Sequence, residues 1–285
     1  MCPNLAVFDD SARDGTSCAA MATGLRDRRL PRALPIVLLM AFFASFGCTA
    51  ESTSNSIVYY CDGAGWYAGS GKVQSGLKQA KFPGRFERYG WSTLLGPGTD
   101  HLIAARSTAV AMGLTRRIEK HLREHPEADV HLIGLSAGTA VVLNAIEQLP
   151  ADVKVSNVVL LSSSASSQRD LTKIMQRVSG CIYNTVSRRD SILSTLTVNA
   201  DGGEGRPAGA VGFRRPRGTK RPGSDQAYRR VVNLPWKPAY LAYDWDGGHT
   251  RVTSSKFIRS VIAPRLKSKD AFPLDRPMVA SATKD

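Results

Sequence analysis

One stretch of sequence decides the fold, VHLIGLSAG at residues 130–138, in which an apolar run leads directly into a glycine-rich turn. The run Val130–Leu135 has the length and apolar character of a buried strand. Residues 137–149 follow with the spacing of a helix, which Pro150 ends. The stretch therefore predicts a strand, a sharp turn and a helix in immediate succession.

The turn has the pattern Gly-x-Ser-x-Gly, with Ser136 at its centre between Gly134 and Gly138. A strand that turns sharply into a helix brings the flanking positions too close for side chains, so glycine is needed there. Ser136 is then held in a strained conformation with its hydroxyl exposed, next to the positive end of the following helix. The alternative is a turn in which Ser136 only caps the helix, but the strand before it and the helix after it favour a nucleophile.

Apolar runs and helical patterns alternate on both sides of this stretch. The predicted strands are Ile57–Tyr60, Phe86–Trp91, Val130–Leu135, Val155–Leu161, Cys181–Val186 and Ala239–Tyr243. The predicted helices cover residues 70–81, 101–125, 137–149, 167–177 and 253–262. This alternation predicts an α/β fold with a mostly parallel central sheet of about six strands and helices on both faces. Ligands bind such sheets beyond the carboxyl ends of the strands, where we look for functional residues.

The turn and its setting resemble the α/β-hydrolase superfamily of serine hydrolases, which includes esterases, lipases and cutinases. The resemblance extends over residues 57–265 and implies a catalytic triad in the order Ser, acid, His. Ser136, Asp190 and His249 occur in that order. The resemblance further implies hydrolysis of a carboxylic ester, a small molecule or a lipid, through an acyl-enzyme and without a cofactor. Thioesters or amides would use the same triad.

The acid and the base each follow a predicted strand. Asp190 comes just after Cys181–Val186, where a carboxylate would hold the histidine in the required tautomer. It could also pair with a neighbouring arginine or cap a short helix, and Asp170 is the reserve candidate for the acid. His249 follows the last predicted strand and two glycines, and a base with a near-neutral pKa is what a serine nucleophile needs.

The oxyanion of the reaction requires two backbone donors. The amide of Ala137 supplies one, and in the superfamily the second comes from the loop after an early strand, often with the sequence His-Gly-Gly-Gly. In this chain Asp62 stands where the histidine is frequent, and either Gly63 or Ala64 is expected to donate. Asp62 and Trp66 are also candidates to line the substrate pocket, although Trp66 serves equally well as a cover for the core.

The first 47 residues are typical of a secretory signal. Four arginines precede the apolar run 33–47, which is shorter than a membrane-spanning helix. The run ends at Cys48 in a sequence that resembles a bacterial lipobox, with Ser45 where leucine is usual. We expect export, with either lipidation of Cys48 or ordinary cleavage; the alternative is an anchor that is not cut. Met21 would give a more normal signal length and is a candidate start.

The remaining chain divides into three parts. Residues 48–56 are predicted to form a linker, residues 57–265 the hydrolase domain and residues 266–285 a C-terminal tail. The expected product is a cell-envelope lipoprotein, attached to the membrane through Cys48, or a secreted or periplasmic protein. Within the domain, a Gly- and Pro-rich excursion at residues 194–236 interrupts the alternation.

The composition bounds the alternatives. Of 285 residues, 42% are hydrophobic and 22% charged, which excludes collagen-like, disordered and disulfide-scaffold proteins. The net charge of +14 favours contact with anionic surfaces. Basic residues are concentrated at positions 213–230. We expect this segment to be a solvated loop, a contact site for an anionic polymer or membrane, or a lid. The alternative function is therefore a non-catalytic, surface-tethered binding protein. Nucleic acid is not expected, because the basic segment lacks interleaved aromatic residues.

Metal and cofactor sites are not predicted. His121 and His125 match an inverted zinc-protease pattern, but they lie in the last turn of a helix, at the sheet edge opposite Ser136. A nucleotide phosphate loop is absent from the sequence. Cys61 and Cys181 permit one disulfide in an oxidising compartment.

Two further histidines have ordinary explanations. His131 lies inside a strand and is expected to be a core or edge residue. His101 begins a helix after a glycine-rich stretch, where an ordinary capping environment is favoured over a role in lining the pocket.

Overall fold

The computed structural model describes residues 55–65, 69–92, 96–102, 108–216 and 223–268. Its strands are β1 (Ile57–Cys61), β2 (Arg85–Tyr89), β3 (Val130–Leu135), β4 (Val158–Leu161), β5 (Ile182–Val186) and β6 (Val231–Pro235). Within the described residues they form one sheet in the order β2-β1-β3-β4-β5-β6, and every neighbouring pair is parallel. The predicted parallel sheet of about six strands is confirmed.

Helices cover both faces of the sheet. They are α1 (Ser70–Gln79), α2 (Pro97–Leu102), α3 (Thr108–Glu124), α4 (Gly138–Gln148), α5 (Thr172–Met175), α6 (Ser191–Thr195), α7 (Ala208–Val211) and α8 (Ser224–Arg229). Two 3₁₀ helices follow, Pro238–Tyr243 and Arg251–Thr253, and the described chain ends with α9 (Ser255–Phe257), a π-helical turn Ile258–Ile262 and α10 (Ala263–Lys267).

Side-chain alternation along the strands builds two separate cores. In β1, Ile57 and Tyr59 pack with residues of α3 and α4, whereas Val58 and Tyr60 pack with α1 and the C-terminal helical segment. All four side chains are buried, as expected for a strand at the centre of a parallel sheet. The two cores hold the sheet between its helical layers. Because all the strand pairs are parallel, the carboxyl ends of β1, β3 and β5 lie at the same edge of the sheet.

The sixth strand is not where the sequence pattern places it. Residues Ala239–Tyr243 form the 3₁₀ helix, not a strand, because Pro238 favours a helical turn and Tyr240 packs against Trp245 and Phe257. The strand is instead β6, inside the predicted excursion at residues 194–236. Its backbone pairs with β5 over its whole length, a long-range interaction that local composition does not reveal.

Several element boundaries also differ from the prediction. The helix expected over residues 101–125 begins as the separate α2, and α3 starts only at Thr108. The strand expected at Val155–Leu161 is confined to β4, although Val155 makes an isolated bridge to Val178. The helix expected over residues 167–177 is the single turn α5, because Ser166 and Asp170 bond to nearby backbone amides instead.

Some predictions fall outside the described residues. These are the signal at residues 1–47, the start at Met21, lipidation of Cys48, most of the linker 48–56, the pocket residue Trp66 and the tail beyond residue 268. They stay predictions. In the described part of the chain, no helix combines the length and apolar character required to cross a membrane.

The two cysteines of the body are not joined. Cys61 ends β1 and Cys181 precedes β5, and both thiols are buried. Because β3 and β4 separate these strands, the two residues are about 14 Å apart across the sheet, at about 4.8 Å per strand. A disulfide tolerates a Cα separation of only about 7 Å. The sequence permits this bridge, but the topology excludes it.

His131 is a buried core residue of β3 whose neutral form the fold selects. The backbone N–H of Asn157 donates to its Nδ1 at 3.3 Å, and Phe82 packs edge-on against the ring. Burial lowers the pKa of His131 to about 4. In the unfolded chain this histidine titrates with its ordinary pKa. At a pH between that ordinary value and the lowered one, the unfolded chain therefore binds a proton at residue 131 and the folded chain does not.

This difference predicts an acid-sensitive fold. As pH falls from 7 to 4, His131 is expected to remove about 3 kcal/mol from the free energy of unfolding. The change His131→Asn keeps an acceptor for the Asn157 amide and cannot titrate. Denaturant unfolding across this pH range measures both proteins, and their difference cancels the other titrating groups. Stability curves that run parallel for parent and variant would show that His131 contributes nothing.

Candidate active site

Ser136 follows β3 directly and has a positive φ of 51°. The left-handed region is costly for a residue with a Cβ, so the surroundings must enforce it. The Ser136 amide donates to the Leu161 carbonyl at 2.9 Å, and its carbonyl accepts from the Thr139 amide at 3.0 Å. The predicted strand, turn and helix are present, and the serine is held between β3 and α4.

Both glycines of the motif are required for steric reasons. A Cβ atom at Gly134 would lie 2.8 Å from Cα of Thr139, inside the first turn of α4. A Cβ atom at Gly138 would lie 2.3 Å from the backbone oxygen of Asp62. Both distances are shorter than any side chain permits. Gly138 therefore lets α4 approach the end of β1, which brings Ser136 beside the loop that follows β1.

Asp190 and His249 form a close pair. Nδ1 of His249 lies 2.8 Å from Oδ2 of Asp190, whose carboxylate is fully buried. The other oxygen of Asp190 accepts from the amide of Leu193 at 3.0 Å and caps α6. Asp190 thus has both of the contacts expected for it: one carboxylate oxygen orients His249, and the other caps α6. Capping fixes the carboxylate, and the carboxylate in turn fixes the imidazole.

The loop that carries His249 is packed rather than free to swing. The indole N–H of Trp245 donates to the Gly248 carbonyl at 3.3 Å, and the Trp245 ring is buried against Tyr240 and Phe257. Gly247 has a φ of 93°, and a Cβ atom there would meet the hydroxyl of Ser187 at 2.8 Å. The glycines are thus required for close packing against the chain after β5.

Ser136 and His249 line the same cavity, which has a volume of about 520 Å³. Gly63 and Ala64 of the loop after β1 also line it, and a Cβ atom at Gly63 would lie 3.4 Å from Cβ of Ser136. The structure therefore brings the predicted nucleophile, base and oxyanion loop to one place, with Asp190 buried behind His249.

Asp62 supports the oxyanion loop and does not line the cavity, contrary to the prediction. Its carboxylate is buried beneath the loop, where Oδ1 accepts from the Tyr60 hydroxyl at 3.0 Å and from the Gly69 amide at 3.2 Å. Burial raises the pKa of Asp62, although these hydrogen bonds, Arg88 and the Gly63 amide oppose that shift. These contacts hold the side chain beneath the loop, so the following residues Gly63 and Ala64, and not Asp62, line the cavity.

A second buried carboxylate, Asp100 of α2, holds the same loop from the other side. Its Oδ2 accepts from the Gly65 amide at 3.0 Å and from the hydroxyl of Ser92. Since the amide of Gly65 is directed to Asp100, the amides of Gly63 and Ala64 remain the candidates for the second oxyanion donor. This role of Asp100 was not predicted from the sequence, because an aspartate near the start of a helix indicates only a helix-capping residue.

His101 lines the cavity, so the pocket interpretation of this residue is the correct one. Its Nε2 lies 2.9 Å from the Val198 carbonyl oxygen, which can only accept, so Nε2 carries the hydrogen. Val198 and Ile192 line the same cavity. Neither was predicted: Ile192 lies in α6, which is too short to show a helical period, and Val198 lies in the excursion at residues 194–236.

The remaining candidates lie elsewhere. Asp170, the reserve acid, caps the turn of α5 through the Thr172 amide at 2.9 Å. His121 contacts the Asn55 carbonyl just before β1, at the amino-terminal edge of the sheet. No described residue of the basic segment 213–230 lines the cavity that holds Ser136.

Two arginines of the basic segment have structural partners. Arg230 donates to four backbone carbonyls, those of Met175, Val178, Ser179 and Gly180. Arg215 forms an ion pair with Asp225. The Arg230 contacts fasten the segment to the chain before β5, and the Arg215 ion pair offsets one positive charge within the segment.

No family model matches the sequence, and no curated protein matches it. Among solved structures, it is similar to a cutinase-like protein from Cryptococcus sp. (15% identity, 75% of this chain and 97% of that chain, TM-score 0.37). A poly(3-hydroxybutyrate) depolymerase from Bordetella parapertussis is 14% identical over 75% of this chain and 79% of that chain, with a TM-score of 0.44. A lipase-esterase related protein from Clostridium acetobutylicum is 12% identical over 75% and 96%, with a TM-score of 0.44. Similarity at this level does not bear on activity, which depends on the geometry of the site.

Proposed function

We propose that the protein is a serine hydrolase that cleaves carboxylic esters through an acyl-enzyme on Ser136. One observation carries the proposal: the Asp190–His249 pair, joined at 2.8 Å, shares a cavity with a serine held at a positive φ between strand and helix. A buried carboxylate, an oriented imidazole and a strained serine together are typical of nucleophilic catalysis. The resemblance of the motif to the α/β-hydrolase superfamily supports the same conclusion.

The chemistry follows from these positions. Ser136 Oγ forms a bond to the ester carbonyl carbon while Nε2 of His249 takes its proton. The carbonyl oxygen becomes an oxyanion, which the amide of Ala137 and that of Gly63 or Ala64 stabilise. When the carbon–alkoxide bond breaks, His249 returns the proton to the departing alcohol. Water then attacks the acyl-enzyme with His249 again as base, and the carboxylic acid leaves. Asp190 stabilises the imidazolium in both halves of the reaction.

The alternative function is a surface-tethered binding protein that uses the basic segment 213–230. Arg215 and Arg230 have partners within the fold, which weakens this alternative. The two functions differ in an observable way. A binding protein would retain affinity for an anionic polymer after the change Ser136→Ala, and the parent would hydrolyse no ester.

A fluorophosphonate probe tests the proposed function, because it labels an activated serine rather than an exposed one. We expect stoichiometric labelling of the full-length protein, measured by intact mass, and none in Ser136→Ala. Ser75→Ala, on the partly exposed surface of α1, is the matched control and should label like the parent. The proposal fails if a folded parent protein does not react, or if Ser136→Ala reacts equally well.

A further inference from the structure

The cavity beside Ser136 is uncharged in a strongly basic protein. Among the described residues that line it, His101 and His249 carry the only titratable side chains. The whole sequence, by contrast, has a net charge of +14. A substrate group that enters this cavity therefore meets no carboxylate, ammonium or guanidinium group among the described lining residues, and apart from the two imidazoles the wall is aliphatic, hydroxyl or backbone.

Two large apolar side chains on this wall are exposed to solvent. Ile192 is 47% exposed and Val198 is 42% exposed, and both line the cavity. Two other large apolar side chains of the described chain, Met112 and Leu241, are similarly exposed but lie away from it. A single exposed apolar residue needs no explanation. Two on one wall, next to a nucleophile, indicate a surface that a ligand covers.

The fold holds these side chains in place. At one end of the segment, Asp190 caps α6 and Leu193 is buried. At the other end, the buried Asn199 donates to the Gly203 carbonyl at 2.7 Å. Between them, His101 reaches across from α2 to the Val198 carbonyl. The exposure of these apolar side chains is thus a property of an anchored segment and does not result from a loose loop.

The cavity has two unlike sides. Thr250, next to His249, also lines a second cavity whose charged residues are Lys72, Asp244, Arg251, Lys256 and Arg259. The leaving alcohol must lie within reach of His249, which protonates it, so it departs on this polar side. The acyl group then extends to the opposite side, towards His101 and Val198.

From these observations we infer that Ile192 and residues 195–198 form an acyl-binding wall, and that the substrate is an ester with an aliphatic acyl chain of several carbons. This inference rests on the proposed hydrolysis at Ser136. His101 acts as a positioning residue, since it holds the carbonyl of Val198 and so fixes the wall opposite the nucleophile.

The test compares p-nitrophenyl esters from acetate to octanoate, kept below their micelle concentrations. In the parent, kcat/KM is expected to rise about two- to fourfold per methylene, the gain from transferring a CH₂ group out of water. In the double variant Ile192→Ser/Val198→Thr the ratio of octanoate to acetate kcat/KM should fall at least tenfold. Leu241→Ser, which removes an equally exposed apolar side chain elsewhere, should keep the parent ratio.

The possible outcomes distinguish failure of the acyl-wall inference from failure of the proposed hydrolase function. A parent protein that reacts with the fluorophosphonate probe and hydrolyses acetate, but shows no dependence on acyl length, overturns the acyl wall alone. A double variant with the parent's ratio also overturns it, as does a preference that follows the length of the alcohol in a series of alkyl acetates. Absence of both labelling and turnover in the folded parent overturns the hydrolase and the acyl wall together.

Discussion

Ester turnover is expected to fall by about 10⁴- to 10⁶-fold in Ser136→Ala, because the change removes the atom that attacks the carbonyl carbon. The substitution keeps the Cβ atom and removes only the hydroxyl, so the backbone at φ 51° and its hydrogen bonds to Leu161 and Thr139 should persist. The loss should therefore appear in kcat, with KM for a soluble ester little changed. Steady-state kinetics with p-nitrophenyl butyrate measure both parameters.

Folding must be shown to be intact in this variant. Far-UV circular dichroism and the denaturation midpoint of Ser136→Ala should match those of the parent. Residual activity arises only from the oxyanion amides and substrate binding, which do not depend on the hydroxyl. A kcat within tenfold of the parent, in protein free of parental contamination, would remove Ser136 from the role of nucleophile.

Asp190→Asn is expected to lower kcat by about 10⁴-fold. The buried carboxylate receives the Nδ1–H of His249 at 2.8 Å and offsets the positive charge that forms on the imidazole during attack. An asparagine amide group in its place donates to Nδ1 and so favours the wrong tautomer. Asparagine still accepts the Leu193 amide and caps α6, so stability should change little, whereas Asp190→Ala should also lose about 1 kcal/mol of capping energy.

The chain offers a matched control for this change. Asp170 lies just before the turn of α5, where its carboxylate accepts a hydrogen bond from the Thr172 amide at 2.9 Å. Asp170→Asn should therefore change stability by a similar amount and leave kcat at the parental value. If Asp190→Asn retained a kcat within tenfold of the parent, the carboxylate would serve only as a helix cap, and the pair with His249 would be incidental to catalysis.

The centre of the site could be predicted from sequence because its determinants are local. The strand, the turn and the helix around Ser136 follow from one apolar run and two glycines with a clear steric requirement. Asp190 could be placed because it follows β5, and parallel strands bring their carboxyl ends to one edge. His249 was placed by its order after Ser136 and Asp190, since the strand predicted before it is a 3₁₀ helix. Their 2.8 Å contact spans 59 residues of sequence, so only their order along the chain indicated it.

The parts that sequence could not provide depend on distant contacts. Strand β6 gains its backbone partners from β5, and its own sequence, VVNLP, is too short to distinguish from a loop. Asp100 supports the oxyanion loop across 35 residues of sequence. Ile192 and Val198 form a wall only because buried neighbours anchor the chain on both sides of them. In each case local composition indicates an irregular segment, and tertiary contacts define its role.

The close approach at Gly138 divides the site into a part that is sensitive to mutation and a part that tolerates it. The nucleophile and the oxyanion loop are brought together by backbone against backbone, at a separation where even one methyl group would collide with the Asp62 carbonyl. Few substitutions can adjust that geometry without destroying it. The wall formed by Ile192 and residues 195–198, by contrast, presents side chains from a segment anchored by its own buried neighbours. A lineage of such proteins could therefore change the esters it accepts by substitution in this segment alone, while the reacting groups stay in register.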